Sequence, residues 1–160
     1  MDTKPKQLAV LTRWMCRPDL PGVVDVEMDC EGRLNCQDIL ALLTERNQIA
    51  HVTENRVTGE IIGWQAYSLT SSTIDLLRFG VKKDWRRQGV ATDMLRRLKE
   101  RMSHARRSRL ISYVDERSLD LQLFLSHRGF VARNVIGATY LMEYRHGRTA
   151  TNVGTIEAQR

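Results

Sequence analysis

The sequence predicts an α/β fold in which a mixed, mostly antiparallel central sheet is flanked by helices. Three observations carry that expectation. The stretches Gln48–Thr53, Glu60–Leu69 and Thr73–Val81 are rich in β-formers and separated by turn-like segments, the pattern of an antiparallel meander. From Gly89 onward, apolar residues fall at Ala91, Met94, Leu95, Leu98, Met102 and Ala105, and steps of three and four mark an amphipathic helix. Beyond it, strand-like and helix-like stretches alternate.

The remaining elements follow in order. Leu8–Met15 reads as a first strand. Pro18-Asp19-Leu20-Pro21 opens a helix with Asp19 as a candidate cap and Pro21 in the first turn. Val23, Val24, Val26 and Met28 continue that helix, and a second covers Asp38–Arg46. Leu110–Val114 is a short strand and Ser118–His127 a helix, closed by Gly129 as a left-handed cap. Thr139–Tyr144 is the last strand, with room for one more before it. Residues 1–146 are expected to form one domain, and 147–160, which lack periodicity, a loose tail.

Composition narrows the function classes. The 160 residues are 42% hydrophobic, enough for a sizeable core. Three cysteines (Cys16, Cys30, Cys36) and four scattered histidines make neither a disulfide framework nor a zinc pattern, so no metal is expected. No apolar stretch reaches membrane-spanning length and no leader is visible, so a cytoplasmic protein with no membrane partner is expected. The formal charge of +6 is uneven. Lys82–Arg109 holds eleven basic and three acidic residues, whereas the remainder carries fourteen basic and sixteen acidic. That concentration points to an anionic ligand, either a phosphate-rich small molecule or RNA.

The junction Val81–Thr92 is the sharpest local signal. A strand leads through a loop into a long helix, whose first turn offers unpaired amides and the positive end of the dipole. Such a terminus takes phosphate. Gly89 and Ala91 let a ligand approach the backbone, and Arg86 and Arg87 supply charge-assisted donors. A basic loop capping an ordinary helix would read the same way on spacing alone, and the segment is neither a P-loop nor a dinucleotide fingerprint.

Arg86-Arg87-Gln88-Gly89-Val90-Ala91 also resembles the Arg/Gln-x-x-Gly-x-Gly/Ala signature of the GNAT acetyltransferase superfamily. Leu77–Val81, Asp84-Trp85 and Arg128-Gly129-Phe130 resemble its flanking segments. The resemblance spans Val52–Arg145, and Leu8–Asp29 more loosely. Through Arg109–Phe130 and Tyr140–Arg145 it is most similar to the ribosomal-protein alanine N-acetyltransferases, the RimI type.

The resemblance implies the GNAT acyl-CoA N-acyltransferase fold and acetyl-CoA as co-substrate. It implies that Phe79, Gly80 and Val81 pair with the pantetheine arm as an added strand would. Arg86, Arg87, Gln88, Gly89, Val90, Ala91 and Thr92 would surround the pyrophosphate. Ser118 stands where many relatives have a cofactor-contacting Asn.

The acceptor half departs from the pattern. The strand Glu that serves as base in the similar enzymes is matched by Tyr113, and the helix Tyr that serves as acid is matched by Leu125. Cys30–Leu34 replaces the aromatic, proline-rich substrate loop, and Val135–Ala138 leads directly into Thr139-Tyr140. Proton transfer is therefore expected from Tyr113, or from a water held by Asp115 or Glu116, with Tyr140 as a replacement acid.

The expected acceptor is a primary amine, foremost a protein N-terminus, whose pKa of about 7.7–8.0 leaves much of it neutral near pH 7. Two alternatives stand beside it. One is a catalytically weak acetyl-CoA-binding sensor or partner module. The other is a toxin-like aminoacyl-tRNA acetyltransferase, suggested by Arg96, Arg97, Lys99, Arg101, Arg106 and Arg107. No stacking aromatics interleave those residues, which weakens the RNA reading. A monomer or homodimer is expected.

Overall fold

The computed structural model describes residues 9–103 and 105–147. Seven strands form one sheet: β1 (Val10–Trp14), β2 (Gln48–Asn55), β3 (Ile61–Leu69), β4 (Thr73–Val81), β5 (Arg109–Asp115), β6 (Val131–Ile136) and β7 (Thr139–Arg145). Their spatial order is β1-β2-β3-β4-β5-β7-β6. Every neighbouring pair is antiparallel except β4 and β5, which are parallel. Four helices complete the fold: α1 (Leu20–Asp29), α2 (Cys36–Thr44), α3 (Val90–Lys99) and α4 (Leu119–His127). Among the described residues, no helix is long and apolar enough to cross a membrane.

The predicted fold class therefore holds, and the element open at the end of the chain is β6, an edge strand exposed along its whole length. A tight turn at Gly137, with φ of 58°, joins it to β7. The first strand begins at Val10; Leu8 lies outside the described residues, as does His104. So, apart from Gly147, does the tail expected over 147–160.

Side-chain alternation sorts the sheet into two faces. Ala50, Val52, Trp64 and Ala66 pack with Leu20, Val23 and Val26 of α1 and Ile39 of α2. On the opposite face Tyr67, Ile74, Leu76, Leu110, Val114 and Met142 pack with Leu95 and Leu98 of α3 and Leu125 of α4. Leu95 and Leu98 are each 1% exposed. Burying a side chain of that size stabilises by about 1.5–3 kcal/mol.

Local signals explain the helix ends, with two differences from the sequence reading. The Asp19 carboxylate does not cap α1. It reaches back to the Cys16 amide at 2.7 Å and pairs with Arg13 at 2.8 Å, closing the short 3-10 turn Arg17–Asp19 that precedes the helix. The second helix starts at Cys36 rather than Asp38, because Asn35 and Asp38 exchange backbone bonds as a capping box. Gly129 does adopt the left-handed conformation, with φ of 91°. Phe130 N–H then reaches the Leu125 carbonyl at 3.1 Å and Gly129 N–H the Ser126 carbonyl at 3.2 Å, a Schellman closure.

One charged residue is buried within the sheet. Glu143 on β7 accepts from Arg109 and Arg145 and faces Arg133, and it is only 3% exposed. Burial alone would raise its carboxyl pKa, but the Arg145 and Arg109 guanidiniums hold it below the ordinary glutamate value. This stabilisation is present above the unfolded glutamate pKa of about 4.3 and is lost as the pH falls through the lower folded value. Glu143→Ala, which leaves three cations around an empty site, should destabilise the fold by about 3 kcal/mol at pH 7. Urea denaturation would measure it; an unchanged midpoint would show that the arginines need no counter-charge.

Candidate active site

The only parallel pair in the sheet shapes the site. β4 and β5 pair from Thr73–Arg109 to Leu76–Ser112 and, among the described residues, no further. Leu77 is the reason. The β3–β4 register shifts there, so that Tyr67 faces Leu76 while Ala66 faces Arg78, and Leu77 is an extra residue in β4. A bulge bends its strand and strengthens the twist. Beyond it, Leu77–Val81 and Tyr113–Asp115 diverge and leave a wedge in the sheet. On the α3–α4 face the Phe79 and Phe124 rings stack at 5.6 Å, carrying the packing across between β4 and α4.

The wedge has unpaired backbone on its β4 side. Lys82 N–H donates to Ile62 at 2.8 Å, which places Lys82 in a hydrogen-bonded pair with β3. The alternation of an antiparallel ladder then turns Gly80 toward β3, and Phe79 and Val81 toward the wedge. Gly80 has a further role. A Cβ there would lie 3.2 Å from Cys30 Sγ, so glycine lets the end of α1 approach β4. The Val81 carbonyl accepts from Arg86 Nε at 3.0 Å and from Cys30 Sγ at 3.4 Å. Arg86 thus folds its side chain back to clamp the loop to the strand.

The loop itself presents a run of amides at the start of α3. Arg87, with φ of 58°, and Gly89, with φ of 87°, are both left-handed, and α3 starts at the next residue, Val90. The first helical bond runs from Asp93 N–H to the Gly89 carbonyl at 3.0 Å. The N–H groups of Gly89, Val90, Ala91 and Thr92 therefore precede the ladder and point out of the helix end. A Cβ built on Gly89 meets nothing within 4 Å, so the space beside the loop is open. Such a nest of amides at a dipole's positive end fits a pyrophosphate. Gln88 Nε2 donates to the Asp84 carbonyl at 2.9 Å, and Trp85 packs against Val81, Val90 and Met94, which fixes the loop from below.

The other flank is α4. Because β4 and β5 run parallel, the N-termini of α3 and α4 lie at the same end of the sheet, on either side of the wedge. Ser118 is the exposed residue at the start of α4. The sequence did not single out Gln122, whose Nε2 donates to the Asp115 and Glu116 carbonyls at 2.9 and 3.0 Å and holds the β5–α4 turn. Nor did it single out Asp29. Its carboxylate accepts from Lys83 N–H at 2.6 Å, fastening the end of α1 across 54 residues to the 3-10 turn Lys83–Trp85. Contacts of that separation leave no spacing signal.

The two candidate proton-transfer tyrosines lie apart. Tyr113 is 57% exposed and sits on the face that α1 and α2 cover, since its neighbours Ser112 and Val114 point to the opposite face. Tyr140 pairs across β7 with Val114 and packs into the α3–α4 core. Leu125, at the position of the relatives' acid, is fully buried in that core. Asp115 is held below the ordinary aspartate pKa by its hydrogen bond from Arg117.

The acetyltransferase (GNAT) family profile matches residues 12–130, three-quarters of the chain. The chain belongs to the GNAT acetyltransferase family. The enzyme class expected from the sequence is thus the class of the family. Solved structures agree on the fold. The PaiA N-acetyltransferase of Thermoplasma acidophilum, crystallised with coenzyme A, superposes with a TM-score of 0.73 at 14% identity, covering 86% of this chain and 99% of that one. The ribosomal-protein-S18-alanine N-acetyltransferase of Escherichia coli gives 0.73 at 12% identity, covering 90% and 98%. NAA60 of Arabidopsis thaliana, bound to a bisubstrate analogue, gives 0.71 at 13%, covering 85% and 97%. The RimI-type resemblance read from the sequence is thus matched among the structures. No curated protein sequence matches the chain.

Gly89 tests the loop. Its φ of 87° makes any side chain costly by about 1–2 kcal/mol. A tryptophan would also fill the open space beside the loop. Gly89→Trp should leave a folded protein with a modestly lower melting temperature that no longer binds coenzyme A by calorimetry. Retained binding would move the pyrophosphate elsewhere.

Proposed function

We propose that this family member transfers the acetyl group of acetyl-CoA to a primary amine, foremost the α-amino group of a protein N-terminus. The observation that carries the proposal is the open amide cradle at Gly89 beside a wedge lined by the unpaired edge of β4. Acetyl-CoA, when bound, supplies the activated acyl group as a thioester. The amides of Gly89–Thr92, with Arg87 beside them, would hold its pyrophosphate, and the Phe79 and Val81 edge would take its extended arm. Ser118, at the start of α4, would flank it across the wedge.

The acceptor enters from the face of α1 and α2, where Tyr113 stands exposed. An α-amino group needs little help there. With a pKa of about 7.7–8.0 a sizeable fraction is neutral at pH 7, whereas a lysine at about 10.4 is almost wholly charged. Positioning against the acyl carbon then does most of the work. As the new C–N bond forms and the C–S bond breaks, the amine nitrogen's proton passes through the Tyr113 hydroxyl, which gives up its own, to a water held by Asp115 or Glu116 and so to solvent, or passes to that water directly. Tyr140, one strand away on the other face, is the candidate to return a proton to the departing sulfur.

The RNA reading loses its main support in the pairing of α3. Arg96 bonds to Asp93 and Glu100, and Arg97 to Asp93 at 2.9 Å. Lys99 donates to the Arg128 carbonyl at 2.7 Å and lies over the Tyr144 ring, and Arg107 donates to the Thr70 carbonyl at 2.8 Å. Much of the basic run is thus paired within the chain, at its surface.

Incubation with acetyl-CoA and a panel of peptides, followed by release of free thiol, checks the proposal. Peptides with a free N-terminus should release thiol, and the same peptides with a blocked N-terminus and an internal lysine should not. The rate should climb with pH toward 8 as the amine deprotonates. Tyr113→Phe should lower kcat about 10²-fold with little change in coenzyme A affinity. Tight cofactor binding with no thiol release on any amine would instead identify an acetyl-CoA-binding sensor.

A further inference from the structure

A second concavity of about 290 Å³ lies away from the wedge. Its floor comes from the sheet: Thr12 and Trp14 of β1, His51 of β2 and Gln65 of β3. Its wall is the C-terminal part of α3 with the turn that follows, through Arg97, Glu100 and Arg101, and the Glu100 carboxylate is taken up by Arg96. Arg97 is eight residues beyond Gly89, about 12 Å along the helix. The pocket is therefore separate from the pyrophosphate loop.

Three features of the pocket point to a ligand. First, Gln65 is 1% exposed, and its Oε1 is buried with no hydrogen-bond partner among the described residues. Its Nε2 faces the Met94 carbonyl at 3.5 Å, which leaves the amide oxygen as the free end. An amide oxygen can only accept, so it calls for a donor. The adjoining Tyr67 hydroxyl is likewise buried without a partner.

Second, two guanidiniums converge on this floor. Burial, and after it the charges of Arg101 and Arg97, push the His51 imidazole down to about 4, so it is neutral at pH 7. Arg97 is paired with Asp93, but among the described residues no carboxylate pairs with Arg101. The Arg101 guanidinium lies instead 5.8 Å from the Trp14 ring centroid and 5.9 Å from that of Tyr67. Third, the Trp14 indole packs edge-on against His51 at 5.0 Å and stays 57% exposed, forming an apolar rim. The charge of Arg13, which also lines the pocket, is offset by its partners Asp19 and Glu54.

We propose that this pocket binds a small carboxylate or phosphate anion that itself carries a hydroxyl or amino donor. The anion sits against Arg101 and Arg97, and its donor reaches the Gln65 amide oxygen. A simple inorganic anion satisfies the cations but leaves that oxygen unpaired. Neutral His51 adds one donor and one acceptor to the floor.

The test is calorimetry on the full chain with citrate, O-phosphoserine and sulfate, at matched ionic strength. Citrate or O-phosphoserine should bind saturably and at least tenfold more tightly than sulfate, which has no donor at neutral pH. Arg101→Ala should weaken that binding tenfold or more, with Arg97→Gln as a second variant should the first fail to fold. Gln65→Met should bring citrate down to the level of sulfate. Gly89→Trp should leave citrate binding intact. The proposal is overturned if neither donor-bearing probe binds, or if sulfate binds as well as citrate. It is equally overturned if binding survives Arg101→Ala and is lost in Gly89→Trp, which would put the anion in the pyrophosphate loop.

Discussion

Beyond Leu76 and Ser112 the parallel ladder between β4 and β5 stops, and each later feature of the site follows from that interruption. A continuous sheet would leave no route between its two faces and no unpaired backbone edge in its middle. Leu77, one residue too many for its β3 partner, is enough to bend β4 away. Unpaired edges are normally a liability that proteins cover or shorten. Here the edge sits inside the sheet, flanked by two helix N-termini, where a ligand can supply the missing partner.

Opening a sheet removes packing, and the chain offsets that loss locally. Phe79 and Phe124 stack between β4 and α4. Arg86 and Cys30 bond to the Val81 carbonyl, and Asp29 fastens α1 to the turn before the loop. These contacts place an otherwise flexible loop in one conformation, with Arg87 and Gly89 both left-handed. A left-handed arginine costs about 1 kcal/mol or more, which the surrounding bonds must over-determine. The loop proposed to hold the donor is therefore fixed by contacts within the chain itself.

Periodicity carried much of the fold. The meander, the amphipathic third helix and the Gly129 cap were all legible, because each is a local pattern. So was the Gly89 loop, through spacing and family resemblance together. What could not be read depends on distant partners. Asp19 resembles an N-cap until Arg13 and the Cys16 amide claim its carboxylate. The resemblance groups Gly80 with Phe79 and Val81 along the pantetheine arm, but what a side chain there would meet first is Cys30. The pocket at His51 and Gln65 joins residues from β1, β2, β3 and α3, none of which forms a motif.

The basic segment Lys82–Arg109 illustrates how a one-dimensional excess resolves in three dimensions. On the sequence it is one block of charge, suited equally to a cofactor's phosphates and to RNA. In the fold it divides. Arg86 is a clamp within the loop, Arg96 and Arg97 are balanced by Asp93 and Glu100, and Lys99 and Arg107 donate to carbonyls. Arg87 remains exposed at the mouth of the amide cradle, and Arg101 lies over aromatic rings without a paired carboxylate among the described residues. A surface for a polyanion would need many such uncommitted cations along one face, because its affinity grows with each phosphate neutralised. Arg87 and Arg101, separated by the length of α3 and joined, among the described residues, only by the exposed Arg106 beyond the helix, suit two small anions better than one long one.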